Sequence, residues 1–332
     1  MLALVATGAV ACTKGHGLKS GLAYAVGGPG DDGFNDLALA GLDRADRELH
    51  AVSSVKALTA GTDETEDDRY RRLTLLCGAG YDPVIAVGFT YAGSDPASGP
   101  LARAARQCPH THFAIVDDDT VREPNVADLV FADEQGAYLM GVVAANRTRT
   151  GIVGLLGACP AGVIKAFVAG YTAGADAVDP RIAVRVSYVS QDASRCDFTD
   201  PGPARAVAAA LYAAGADIVF QVAGGAGLGV FQAADAAGRS AIGVDADQYR
   251  AVGPPLNHVI VTSMIKRVDV AVYDFIRDVS AGDFVNGTHR YDLADSGVTY
   301  ATTDGQVADL VPTLDAYREK IVAGRIVVPS GP

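Results

Sequence analysis

Tryptophan is absent from this 332-residue chain, and aromatic residues make up only 7% of it. Any ring-stacking surface must therefore be assembled from a few Phe and Tyr side chains. Positive charge is also scarce. Lys and Arg number 27 against 39 Asp and Glu, a formal charge of −12, which repels a phosphate backbone and leaves no basic footprint for a nucleic acid polymer. No apolar run reaches the ~20 residues needed to span a bilayer. The chain carries no GK[ST] phosphate loop, GxSxG elbow, HExxH helix or CxxC pair, so catalysis has no obvious carrier and neither an enzyme nor a bound cofactor is expected. What is present is a globular composition, 49% hydrophobic and 20% charged with 38 Gly and 15 Pro. At roughly 150 residues per domain, that length suggests two domains or lobes.

The chain opens on a short apolar stretch ending Ala9-Val10-Ala11-Cys12, which suits a signal-peptide core. Its last four residues resemble a bacterial lipobox, in which the cysteine is diacylated and becomes the new N-terminus. On that reading residues 1–17 are signal and tether; a frayed apolar terminus is the alternative. Cys77, Cys108, Cys159 and Cys196 then remain, an even number suited to an oxidising compartment. Cys77 ends a predicted helix and Cys108 precedes a strand, both at one edge of a sheet. Cys159 and Cys196 each follow a strand-like run and can pair at the opposite edge. Four buried free thiols are the alternative.

Short apolar runs closed by Gly or Asp, each followed by a helical pattern, recur at residues 21–26, 84–88, 113–117, 151–157, 182–188, 218–223 and 241–245. This is the βα alternation of parallel sheets covered on both faces. Helices are predicted over 37–50, with Leu39, Leu42, Ala45 and Leu49 on one face, and over 203–214 and 268–279. Ligands of such sheets bind beyond the carboxyl ends of the strands, which directs attention to residues 27–35, 88–90, 117–119, 157–160, 224–229 and 245–248.

Gly28-Pro29-Gly30-Asp31-Asp32-Gly33 satisfies the dinucleotide fingerprint in letters, but two aspartates would face a pyrophosphate, and no convincing second strand ends in an acid about 20 residues later. The same carboxylates favour a ligand rich in hydroxyl and N–H donors. The glycine-rich turn 224–229 allows close backbone approach, and Asp245 stands at a strand end, where a carboxylate can accept two bonds from vicinal hydroxyls. Asp117-Asp118-Asp119 lacks the spacing of a calcium loop, and His110-Thr111-His112 lies at the wrong end of its strand, so no metal is expected.

Several motifs taken together resemble one family: Asp31-Asp32-Gly33-Phe34-Asn35, Val87-Gly88-Phe89, Glu134 to Gly141, Lys165 to Gly170, Ala223 to Val230, Ile242 to Gln248, Lys266-Arg267-Val268-Asp269 and Ile321 to Val327. It is the basic membrane protein, or PnrA-like, family of lipoproteins that bind purine nucleosides for ABC-type uptake. The resemblance implies a type I periplasmic-binding-protein fold. Two Rossmann-like α/β lobes with parallel sheets would be joined by three crossing segments near Ala132, Ser263 and Asp292. The lobes would then comprise residues 18–132 plus 264–291, and 133–263 plus 292–332. It also implies a monomer anchored through Cys12, with ABC permease and ATPase subunits as partners and the ligand held between the lobes. Carried over by position, Phe34 stacks on the base and Asn35 reads its edge. Asp31 and Asp117 face base N–H groups, and Phe220 is the second ring, with Phe198 and Phe89 as alternatives. Gly225, Gly243, Asp245 and Lys266 surround the ribose. Gly33 departs from the family's frequent Ser, and the four later cysteines are not a family requirement.

Overall fold

The computed structural model describes residues 18–49, 52–59, 64–193 and 195–331, without the side chains of 52–57. The apolar N-terminus and Cys12 lie outside the described residues. The first run of elements is β1 (Leu18–Ala23), α1 (Phe34–Leu49), β2 (Val52–Leu58), α2 (Glu66–Gly78), β3 (Val84–Ala86), α3 (Pro100–Gln107), β4 (Phe113–Val116) and β5 (Val126–Phe131). The second is α4 (Asp133–Arg147), β6 (Ile152–Gly157), α5 (Gly162–Val178), β7 (Ala183–Tyr188), α6 (Pro201–Ala213), β8 (Ile218–Val222), α7 (Leu228–Ala237), β9 (Ser240–Gly243), α8 (Gln248–Val252) and β10 (Ile260–Lys266). The chain closes with α9 (Val268–Ala281), β11 (Gly287–Tyr291), β12 (Val298–Tyr300) and α10 (Val311–Val322).

These strands form two six-stranded sheets, ordered β11-β5-β4-β3-β1-β2 and β12-β10-β9-β8-β6-β7. Every ladder of the first is parallel, and in the second only β12 runs antiparallel, against β10. The chain changes sheet at Ala132, between β5 and α4; at Arg267, between β10 and α9; and between Tyr291 and Val298. The second change differs from the expected Ser263. Residues 264–266 complete β10, paired with β12, and only after Lys266 does the chain return to pack α9 against α1. The three segments are bonded to one another: Ala132 N donates to Tyr291 O at 2.8 Å, Arg267 N to Gly297 O at 2.9 Å, and Leu293 N to Gln135 Oε1 at 3.2 Å. Arg290 Nη2 lies 2.6 Å from Glu134 Oε1 across the first and third.

Local chemistry explains the main elements. The Asp31 carboxylate accepts the first free amides of α1, and Thr65 with Asp68 forms a reciprocal capping box on α2. The buried face of α1 is Asn35, Ala38, Gly41, Leu42 and Ala45, which includes the expected Leu42 and Ala45, while Leu39 and Leu49 are partly buried against the same core and the face extends to Gly41. The reason is that α9 approaches over Gly41, where a Cβ would collide with the Asp269 backbone. α4 is buried nearly all round, as befits a helix enclosed between a sheet and other helices. Gly170 and Gly174 of α5 let the two backbones touch: a Cβ on either would overlap the Glu134 or Tyr138 carbonyl of α4. The cysteines join as Cys77–Cys108, tying the ends of α2 and α3, and Cys159–Cys196, within the second lobe. Among the described residues no helix is long and apolar enough to cross a membrane.

Gly174→Ala is expected to lower stability by about 2 kcal/mol through forced separation of α4 and α5, read as a lower urea midpoint at unchanged slope. An unchanged midpoint would contradict the close contact.

Candidate functional site

The carboxyl ends of the two sheets face each other across a cleft of about 1050 Å³. The first lobe lines it with the turns after β1, β3 and β4, and the second with those after β6, β7, β8 and β9. The rims meet. A methyl placed on Gly27 would lie 3.4 Å from Thr199 Cγ2, one on Gly225 would lie 3.8 Å from Asp31 Cβ, and one on Gly33 would lie 3.8 Å from Asp245 Oδ2.

At the floor is one ammonium. Lys266 ends β10 with 2% of its surface exposed, its Nζ 2.7 Å from Asp117, just past β4, and 3.1 Å from Asp133, at the start of α4. Its Nζ also stands 5.0 to 5.6 Å from the ring centroids of Phe131, Phe34 and Phe167, within cation–π range. Burial pulls the Lys266 pKa down, but Asp117, Asp133 and Asp245 outweigh it and hold the ammonium above its ordinary range. Asp133 moves the other way: burial raises it well above the carboxylate range despite Lys266.

Asp245 completes this cluster from the second lobe. It follows β9 in a left-handed conformation, φ 65°, as Asp117 follows β4 at φ 68°, a geometry that Asp tolerates and that gathers at functional sites. Burial pushes its carboxyl up to about 7; Lys266 opposes the rise, and Asp117 and Asp31 add to it. None of the described residues donates a hydrogen bond to its side chain, whereas Asp117 and Asp133 both take donors from Lys266.

The loop before α1 is saturated. Asp31 accepts from the amides of Gly33, Asn35 and Asp36 at 2.8 to 3.1 Å and from Asn35 Nδ2 at 3.0 Å, while Asp36 accepts from Gly30 N and Asp32 N. Of the fingerprint glycines, Gly30 and Gly33 are thus bonded, with the Asn35 and Asp36 amides, to the protein's own carboxylates, and Gly28 N to Ala25 O, which leaves no cradle for a pyrophosphate. The structure therefore gives Asp31 a capping role in place of the expected base contact. Asn35 Oδ1 accepts from Ala25 N at 3.1 Å, so one Nδ2 hydrogen remains for a ligand.

Phe34, Phe89 and Phe198 line the cleft. Phe89 and Phe198 meet across it edge to face, ring centroids 6.4 Å apart. Phe220 does not join them. It is fully buried in β8, packed on Phe167 and Tyr171 at 6.2 and 5.5 Å, because every residue of that strand is enclosed. Gly243 is likewise internal: a Cβ there would come within 2.5 Å of Ser263 Oγ and 2.7 Å of Gln248 Oε1. Gly225, Asp117, Asp245 and Lys266 do line the cleft. Sequence reasoning missed Asp133 and Phe167. Asp133 carried a signal, an acid directly before the Glu134 to Gly141 motif. Phe167 lay within the Lys165 to Gly170 motif, which was not read for a site residue.

A model of ABC transporter substrate-binding proteins, Bmp or PnrA-like, matches residues 19–331. The chain belongs to this family. It is 32% identical to the CD4+ T-cell-stimulating antigen of Listeria innocua, over 92% of this chain and 87% of that protein. It is 31% identical to the ABC transporter nucleoside-binding protein BmpA of Lactococcus lactis, over 94% and 89%. An ABC transporter solute-binding protein of Aeropyrum pernix superposes with a TM-score of 0.78 at 25% identity, covering 94% of each chain. The fold is accordingly of the type I periplasmic-binding-protein kind, and the protein is the substrate-binding component of an ABC transporter, a class whose partners are permease and ATPase subunits.

Because folding raises the Asp245 pKa from 3.8 to about 7, the folded state binds more protons than the unfolded one between those values. That contribution to stability is present below pH 3.8 and is lost as pH rises through 7. Asp245→Asn is therefore expected to gain on the ligand-free parent by about 1–3 kcal/mol between pH 5 and pH 8, measured by urea unfolding. A pH-independent difference would contradict an unpaired buried carboxyl.

Proposed function

We propose that the cleft binds one purine nucleoside and that the protein delivers it to the permease. The observation that carries the reading is the Asp245 carboxylate, buried to 8% exposure and with no donor among the described residues, beside the half-buried Phe34 ring. A ligand suited to both needs vicinal hydroxyls at one end and a flat aromatic face at the other. The floor supports a neutral nucleoside over a nucleotide, since its ammonium is already engaged by Asp117 and Asp133 and the chain carries −12 overall. Phe34 would stack on the base with Phe198 or Phe89 opposite, and the free Asn35 N–H would meet the base edge. Asp245 and Gly225 would hold the ribose, with Lys266 keeping the acids in place. The nucleoside-binding relative in Lactococcus agrees with this reading. A monomer tethered outside the cytoplasm by a lipid on Cys12 is part of the same proposal, as is closure of the lobes over the ligand.

Phe34→Ala and Asp245→Ala are each expected to weaken adenosine, guanosine or inosine binding at least about tenfold, by calorimetric titration, with parental circular dichroism. Parental affinity in both variants would remove the site assignment.

A further inference from the structure

Between Tyr188 of β7 and Pro201 of α6 the described residues form no helix or strand, yet this segment builds one wall of the cleft, with Cys196 and Phe198 both on the lining. Among the described residues its backbone is bonded to the backbone of the rest of the lobe at three points. Val189 N and Ser190 N bond back to Gly157 O and Ala158 O at its start, and the Asp200 side chain accepts Gly202 N at its end. Between these anchors Asp197 bonds only within its own turn, to Thr199 and the Asp200 amide. One backbone bond, Ala226 N to Phe198 O at 2.9 Å, reaches outward. Residues 191–193 and Arg195 are exposed, and packing against the core of the lobe resumes at Cys196 and Phe198.

A further attachment is covalent. Cys196, two residues before Phe198, is bonded to Cys159, with Cα atoms 5.0 Å apart. Cys159 is wholly buried in the turn between β6 and α5, and Ala161 and Ile164, just beyond it, form the adjoining wall of the cleft. The bond therefore ties a loose wall to a rigid one at the point where the loop meets the opposite lobe through Phe198 on Phe89 and Thr199 near Gly27. The other disulfide has no such setting. Cys77 and Cys108 join helix ends off the cleft lining.

We propose that the Cys159–Cys196 disulfide is a positioning element of the ligand site, holding Phe198 in place as a preformed wall of the cleft, whereas Cys77–Cys108 serves stability alone. The proposal rests on the reading of the cleft as the ligand site. Without the bond, the loop must be ordered by the ligand, at a cost in affinity; both bonds also restrict the unfolded chain and so raise stability.

The lack of tryptophan makes Phe198→Trp a single-fluorophore reporter. Its anisotropy is to be compared in the parent, in Cys159→Ser/Cys196→Ser and in Cys77→Ser/Cys108→Ser, with nucleoside affinity measured in the same three backgrounds without Trp. The expected result is lower anisotropy and about three- to tenfold weaker binding for the first pair only. The second pair should lose thermal stability and leave both readouts at parental values. Should the first pair fail to fold, Cys159→Ala/Cys196→Val keeps the apolar volume and gives the same comparison. Equal anisotropy in all three backgrounds would overturn the proposal, as would an equal loss in both disulfide variants. A parent that binds no nucleoside would overturn the functional reading instead, and the anisotropy would still decide the positioning role.

Discussion

The Lys266 ammonium is the constraint on which the site depends. A fully buried cation is costly unless it is paired, and here its partners come from three places in the chain: Asp117 past β4, Asp133 at the first crossing, and Asp245, which acts through space from the end of β9. Lys266 itself immediately precedes the second crossing. The ion cluster thus fastens both sheets to the hinge between them. It also sets the character of the floor, because one positive charge shared among several acids leaves the site short of donors. Asp245, to which none of the described residues donates a hydrogen bond, is the group that benefits most from a donor-bearing ligand.

The same economy governs the rest of the cleft. The amides that open α1 could bind an anion, but Asp31 and Asp36 take them internally, so the loop is rigid and closed to phosphate. The cavity is therefore acceptor-rich at its floor and ring-lined on its walls. With few aromatics in the chain, their placement carries much of the recognition. Phe34 comes from a capped helix start, Phe89 from the turn after β3, and Phe198 from a loop that a disulfide holds.

Much of this was legible in the sequence. The apolar runs closed by Gly or Asp marked β3, β4, β6, β7, β8 and β9, and the strand-end rule led to Asp117 and Asp245. β1 begins three residues earlier than expected, since Leu18 to Ser20 pair with β2 despite two polar side chains. β2, β5 and β10 were not singled out because polar residues interrupt them: Ser53 and Ser54 in β2, the buried Asp128 in β5, and Thr262 and Ser263 in β10. The edge strands β11 and β12 are short and partly exposed. The second crossing, carried over from the family near Ser263, comes after Lys266, since residues 264–266 complete β10 against β12. Phe220 was carried over from the family as the second ring, but in the middle of β8 it packs inward on Phe167 and Tyr171. Asp31 lines the cleft as expected but caps α1, because hydrogen-bond saturation within a loop is invisible before the loop is folded.

The central claim is tested most directly by titrating ligand-stripped protein with adenosine, guanosine, inosine, a pyrimidine nucleoside, ribose and NAD. The account predicts binding of a purine nucleoside with a Kd of about 1 μM or tighter and no heat from ribose or NAD. Tight binding of ribose alone, or silence from every nucleoside, would contradict it.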